Sequence, residues 1–268
     1  PEWLKLPRTV PILTAVIGLV YFVLSRLAIR HTDVWGHLAY GRWIQSQGAL
    51  PTTEPLLPLA QGVPWVDTAW LSKVGGAWVF ERFGVAGLQF AHALPLTLAF
   101  VVLAWMIYRR TKSLGWTLLG LLALGLIDYQ QLQIHRPQDF GVLAFVLTVA
   151  WGFSQRRLPW TWVGLPVLYA LWANLHGSWA IGLMALGAIA AGRALDVLRR
   201  TRSLRSMLSS GYVWRVVLMG QLCAAAVLCN PAGLKVYADT LTISGNPNLQ
   251  VLLDWHPLTL RMGQGQVF

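Results

Sequence analysis

Residues 85–108 read VAGLQFAHALPLTLAFVVLAWMIY, a stretch of 24 residues without a single Lys, Arg, Asp or Glu. A helix needs about 20 consecutive apolar residues to cross the hydrocarbon core of a bilayer. Of the 268 residues, 56% are apolar and only 12% are charged, whereas a soluble domain has about 25% charged residues. We therefore expect a membrane protein rather than a soluble globular domain, a disordered chain or a disulfide scaffold.

Further apolar runs predict an all-α fold, a polytopic transmembrane bundle of about seven spans. Runs 114–127 and 139–153 are short, which by length alone favours buried or re-entrant helices. Because they are consecutive, they could form a hairpin whose tip, 128–138, lies below the outer surface. No cleavage pattern follows the first run, so it is expected to be an anchor rather than a signal peptide. The runs lie at 10–29, 85–108, 114–127, 139–153, 159–173, 178–198 and 213–229.

These runs define a single transmembrane domain over 1–268, which we expect to be a fragment of a longer protein. Residues 31–83 form its outer loop and 230–268 its outer tail. Asp67 begins a predicted helix at 67–83 that either lies on the outer leaflet or is an ordinary packing helix. Lys73 is expected on the polar face of this helix. The segment LKVYADTL after Gly233 is a candidate surface helix.

The net charge of +11 is explained by membrane orientation, because Lys and Arg accumulate in cytoplasmic loops. With a cytoplasmic N-terminus, 13 of the 21 basic residues fall in short inner segments, and eight of the ten acidic residues fall outside. Binding to nucleic acid is disfavoured, because the Arg residues flank spans. The inner basic residues are Lys5, Arg8, Arg109, Arg110, Lys112, Arg156, Arg157, Arg193, Arg199, Arg200, Arg202, Arg205 and Arg215. The outer acidic residues are Asp33, Glu54, Asp67, Glu81, Asp128, Asp139, Asp239 and Asp254.

The first outer loop carries the densest polar signal, beginning HTDVWGHLAYGRW at residue 31. A helix is predicted at about 34–47, ended by Gly48. Asp33 and His37 are four residues apart and share one face of it. Asp33 is either a helix cap or a functional carboxylate, and the spacing alone favours the cap.

Two further outer segments contain candidate ligand-binding residues. His135 and Arg136 lie between two apolar runs, where a charged group suggests function. A guanidinium can bind phosphate oxygens in a bidentate manner, although Arg136 could equally snorkel to headgroups. Asn174 and His176 interrupt the apolar sequence at WANLHGSW and either hold a ligand or cap helix ends.

Diagnostic enzyme motifs are absent from the sequence. We find no nucleotide-binding loop, no H-E-x-x-H and no G-x-S-x-G. A divalent metal is a possible cofactor, but no ligand spacing identifies one. Cys223 and Cys229 are expected to be core residues rather than a disulfide or metal pair.

The outer-loop pattern resembles the membrane glycosyltransferases of the GT-C superfamily, such as the oligosaccharyltransferase catalytic subunit and bacterial protein-mannosyltransferase-like membrane proteins. The likeness covers the whole chain in layout and residues 33–71 in local pattern. HRPQ at 135–138, NLHG at 174–177 and NPAG at 230–233 fit the same group. One departure is Val34, which stands where the family has a second acidic residue. In the first outer loop the pattern consists of Asp33, Trp35, His37, Gly48, Leu50, Pro51, Glu54, Gly62, Pro64 and Trp65.

This resemblance implies a sugar transferase that uses a polyprenyl-phosphate donor at the outer, periplasmic face of a bacterial inner membrane. It also implies seven spans with two juxtamembrane helices in the first outer loop. Asp33 would be the catalytic base. His37, His135, Arg136, Asn174 and His176 are the candidate substrate-binding residues.

Two other hypotheses remain open. The chain could be a non-catalytic subunit of a larger membrane complex, in which the Trp- and Pro-rich outer loop contacts membrane lipids and other membrane subunits. A transporter is less favoured, because we find no inverted repeats.

Overall fold

The computed structural model describes residues 7–30, 33–65, 67–154, 159–245, 259 and 266. Within these ranges the chain forms ten α-helices and no β-strand, which confirms the predicted all-α class. The helices are α1 (Thr9–Leu24), α2 (Asp33–Gln47), α3 (Trp70–Thr111), α4 (Leu114–Ile127), α5 (Gln138–Phe153), α6 (Thr161–Leu175), α7 (Trp179–Thr201), α8 (Leu204–Leu208), α9 (Gly211–Val227) and α10 (Lys235–Ser244).

Each of the seven apolar runs coincides with one helix. By length and composition, α3 and α7 are long and apolar enough to cross a membrane. Helices α1, α4, α5 and α9 are apolar but shorter, with 14 to 17 residues. The number of spans therefore stays a prediction.

Helix α3 combines the predicted helix 67–83 and the predicted span 85–108 in one element of 42 residues. Gly84 interrupts it with a φ of 59° and a ψ of −149°, outside the helical region. A positive φ of this kind is accessible to Gly at little steric cost. The boundary that the sequence predicted between two helices is thus present as a break inside α3.

The chain divides into two compact units. The single transmembrane domain stays a prediction. The first unit comprises 1–50, 73–139 and 245–268, and the second comprises 51–72 and 140–244. In the first unit, Phe100 and Ala104 of α3 pack with Leu121 of α4 and are flanked by apolar residues of α1. In the second unit, α9 packs against α6 and α7.

The core of the second unit is aromatic, with Tyr169, Trp172 and Trp179 almost fully buried. Cys223 is also buried there, as predicted. Cys229 follows Leu228, the residue that caps the end of α9, and it is exposed. The prediction that Cys229 is a core residue is therefore wrong. The predicted surface helix after Gly233 is present as α10. Its Lys235 ammonium lies 2.6 Å from the Asp239 carboxylate.

The Pro-rich segment of the second unit folds back on itself. The backbone N–H of Glu54 donates to the Val63 carbonyl at 2.9 Å, and that of Trp65 donates to the Thr52 carbonyl at 3.0 Å. One carboxylate oxygen of Glu54 accepts the N–H groups of Leu56 and Leu57. These bonds account for an acidic residue at this turn without a catalytic role.

In the first unit, α2 lies directly against α3. Val34 and Leu38 form a small core with Ala77 and Leu88. Lys73, expected to be on a polar face, is buried, and its ammonium lies 4.9 Å from the centre of the Tyr40 ring. A Cβ atom on Gly41 would overlap the Lys73 carbonyl. The missing side chain of Gly41 therefore sets how closely the two helices approach.

Replacing Gly41 with Ala is expected to destabilise the first unit by about 1–3 kcal/mol, the usual range for overpacking. Gly36 is the matched control, since it lies in the same helix and a Cβ there meets nothing within 4 Å. Gly36→Ala should be neutral or stabilise by about 0.5–1 kcal/mol. Unfolding in mixed detergent micelles measures both, and equal effects of the two substitutions would contradict the packing argument.

Candidate functional site

Asp33 and Arg136, two of the predicted site residues, form an ion pair in the first unit. A guanidinium Nη2 of Arg136 lies 3.1 Å from the Asp33 carboxylate. The Asp33 side chain is 46% exposed, but the Arg136 side chain is only 14% exposed. A largely buried cation thus meets a carboxylate that remains open to ligands. Asp33 is the first residue of α2, where a negative charge also stabilises the helix dipole.

A buried pair fixes the loop that carries Arg136. His92 Nδ1 of α3 lies 2.7 Å from Asp139 Oδ2 at the start of α5, and both side chains are at most 5% exposed. The same carboxylate oxygen accepts the Arg136 backbone N–H at 3.4 Å. Asp139 therefore joins the loop to α3, from which His92 projects.

The hydrogen bonds of His92 define where its protons lie. The Leu132 carbonyl, 3.1 Å from His92 Nε2, can only accept, so Nε2 carries a hydrogen. The contact between Nδ1 and Asp139 also needs a proton. The pair is therefore either an imidazolium with a carboxylate or a neutral imidazole with a carboxylic acid. In both forms it has one proton between the two side chains and no free ring nitrogen.

His135 lies on the other side of the His92 ring. The two rings stack with centroids 4.1 Å apart and an angle of 25° between their planes. His135 is buried, and its Nε2 has no hydrogen-bond partner in the described part of the chain. Burial, and then the nearby His92, lower the pKa of His135 from 6.5 to about 4. His135 is thus a neutral imidazole at physiological pH with one unused polar atom.

The other predicted site residues are His37 in the first unit and Asn174 and His176 in the second unit. His37 lies one turn after Asp33 in α2 and is half-buried. In the second unit, the Asn174 side chain accepts the Trp70 indole N–H at 2.6 Å and donates to the Ala170 carbonyl. Both functions of that amide are engaged internally, which favours the structural alternative for Asn174.

His176 also has bonds within its own turn. Its Nδ1 accepts the Ser178 backbone N–H at 3.2 Å and lies 2.8 Å from the Ser178 hydroxyl, which accepts the Trp172 indole N–H. These bonds favour a role in ordering the link between α6 and α7. Asn174 and His176 are therefore weaker candidates for ligand binding than Asp33 and Arg136.

Neither His92 nor Asp139 is among the site residues predicted from the sequence. His92 lies within the apolar run 85–108, and Asp139 is one of the predicted outer acidic residues. The sequence signal that could identify them is a His within the apolar run 85–108 and an Asp at the start of the apolar run 139–153. Each is costly inside an apolar environment, so a partner was to be expected.

A metal site finds no support in the described ranges, where no group of three or more His, Cys, Asp or Glu side chains could hold an ion. His31, Asp254, His256, Arg156 and Arg157 lie outside the described residues. Comparison with protein families, curated proteins and solved structures gave no match.

Replacing His92 with Leu should destabilise the protein by about 3–5 kcal/mol, because it leaves the buried Asp139 without its ring partner. The double variant His92→Leu/Asp139→Leu should recover part of that loss, since no buried carboxylate remains. A double-mutant cycle on unfolding free energies measures the coupling. Losses that simply add would show that the two side chains do not act as a pair.

The lowered pKa of His135 predicts loss of stability in acid. Between about pH 6.5 and 4 the unfolded chain binds a proton that the folded chain does not, so stability falls as pH falls through this window. The loss is at most about 3.5 kcal/mol at about 1.4 kcal/mol per pKa unit. His135→Gln should reduce this pH dependence relative to the wild type. Identical pH–stability curves for the two proteins would contradict the assignment.

Proposed function

We propose that the chain is an integral membrane glycosyltransferase-like protein that transfers a sugar from a polyprenyl-phosphate donor to an acceptor. The observation that carries this proposal is the exposed Asp33 carboxylate held by Arg136, one short segment after the first apolar helix. The resemblance to the GT-C superfamily supports the same role for Asp33. The sequence predicts Asp33 as the catalytic residue and Arg136 as the phosphate-binding residue, and the structure pairs the two side chains.

In the proposed reaction, Asp33 acts as the base, and Arg136 and His135 act on the leaving phosphate. Asp33 accepts the proton of the acceptor hydroxyl while the acceptor oxygen forms a bond to the anomeric carbon of the sugar. The bond between that carbon and the phosphate oxygen breaks, and its electron pair leaves with the polyprenyl phosphate. The Arg136 guanidinium, and the N–H of His135 in the tautomer that carries its hydrogen on Nε2, stabilise the charge that develops on the phosphate.

Membrane insertion is supported by α3 and α7, which are long and apolar enough to span. The basic inner and acidic outer segments favour a cytoplasmic N-terminus and about seven spans. Together with the resemblance, this arrangement favours a site at the periplasmic side of a bacterial inner membrane. Exposed apolar side chains on the apolar helices, such as Phe22 of α1 and Met184 of α7, suit contact with lipid.

An alternative is a non-catalytic subunit of a larger membrane complex. It is favoured by exposed Trp side chains outside the predicted spans, with Trp35 and Trp78 each 48% exposed in the first unit. Such aromatic side chains are enriched at protein interfaces. This alternative predicts purification with stoichiometric partners and no turnover of any lipid-linked sugar.

Asp33→Asn should reduce sugar transfer by about 10²–10⁴-fold, the usual contribution of a general base. The assay follows release of polyprenyl phosphate from a panel of labelled polyprenyl-phosphate hexoses and pentoses, in vesicles containing the protein and a membrane extract as the acceptor source. Asp67→Asn is the control, because Asp67 caps the Ala69 backbone N–H at 2.7 Å in the second unit. Full activity in Asp33→Asn would overturn the proposed role. Absence of turnover in the inserted wild type would favour the non-catalytic alternative.

A further inference from the structure

A long apolar groove lies in the first unit between α1 and α4. Its volume is about 410 Å³, within the range of ligand pockets of roughly 300–1,000 Å³. Leu19 and Val23 of α1 line one side, and Leu122 and Gly125 of α4 line the other. The surface of the groove is almost entirely apolar, so it suits a hydrocarbon chain.

The groove meets a second, polar cavity at the end of α1. This cavity has a volume of about 310 Å³ and is lined by Arg30, Gln130 and Gln133, with Leu27 among its apolar members. Leu27 and Gln133 line both cavities, so the two adjoin each other. Gln133 donates one amide N–H to the Tyr129 carbonyl at 3.2 Å, and its amide group has a second N–H.

We propose that these adjoining cavities bind one anionic phospholipid, with an acyl chain in the apolar groove and its phosphodiester beside Arg30. The proposal rests on the membrane insertion proposed above, but not on the sugar transfer. None of Asp33, Arg136, His135 and His92 lines either cavity. The phospholipid is therefore a separate bound lipid and not the sugar donor of the proposed reaction.

Charge determines which lipid fits. Among the described residues, Arg30 is the one cation that lines the polar cavity. Its charge matches the single negative charge of a phosphodiester such as that of phosphatidylglycerol. A phosphate monoester carries about −1.5 to −2 charges at pH 7 and would need more donors of positive charge. The amides of Gln130 and Gln133 suit the hydroxyl and ester oxygens of a glycerol headgroup.

Two matched pairs of variants test this site. Arg30→Gln removes the headgroup contact, and Arg26→Gln removes a cation from the same end of α1 that does not line either cavity. The Arg26 guanidinium instead lies 5.4 Å from the centre of the Phe22 ring. Gly125→Leu fills the groove, where an added Cβ meets nothing within 4 Å, and Gly18→Leu adds the same side chain to α1 outside the groove.

The purified protein in detergent is incubated with equal amounts of phosphatidylglycerol and phosphatidylcholine of the same acyl chains, and retained lipid is counted by native mass spectrometry. Arg30→Gln should lower the preference for phosphatidylglycerol about tenfold, as expected for loss of one charge-assisted contact. Arg26→Gln should leave the preference unchanged. Gly125→Leu should lose both lipids, and Gly18→Leu should lose neither.

Equal effects within either pair would overturn the proposal, as would displacement of phosphatidylglycerol by a polyprenyl monophosphate at equal concentration. Asp33→Asn should retain the lipid as the wild type does. A transferase that loses activity but keeps the lipid therefore separates this site from the catalytic proposal. Lipid retention without any sugar transfer would leave the lipid site standing and overturn only the proposed function.

Discussion

The buried contact between His92 and Asp139 is the constraint on which the geometry of the candidate site depends. It connects the middle of α3 to the start of α5 through the loop that carries His135 and Arg136. Burying two ionisable groups is expensive unless they satisfy one another. Here the pair also accepts the Arg136 backbone N–H and donates to the Leu132 carbonyl, so both ends of the loop are fixed.

The four side chains have two different roles, one structural and one directed toward a ligand. His92 and Asp139 are fully occupied by each other and by the backbone, so they position the loop. The loop holds Arg136, which pairs with Asp33, and His135, whose Nε2 has no hydrogen-bond partner in the described part of the chain. A rigid cation opposite an exposed carboxylate is the kind of preorganised electrostatic environment that transfer to or from a phosphate requires.

The sequence predicted the helices well, because apolar runs and their polar boundaries are local signals. The ends of α2 at Asp33 and Gln47, and the junction at Gly84, follow from capping and turn residues. The pairing of Asp33 with Arg136, about 100 residues apart in the chain, depends on tertiary packing, and the sequence identified each residue without identifying the pair. Lys73 was misjudged because the nearby Tyr40 ring, which shields its ammonium, belongs to another helix.

The break at Gly84 indicates how deeply the two halves of α3 would lie in a bilayer. Peptide groups that lose their helical partners are very costly in hydrocarbon but inexpensive where water or headgroups can reach them. In a bilayer, Gly84 would therefore lie at or near the interface. It would mark the level at which the 24 residues that follow, none of them Lys, Arg, Asp or Glu, enter the lipid. Helix α2, which packs against Ala77 before the break and Leu88 after it, would lie beside that level.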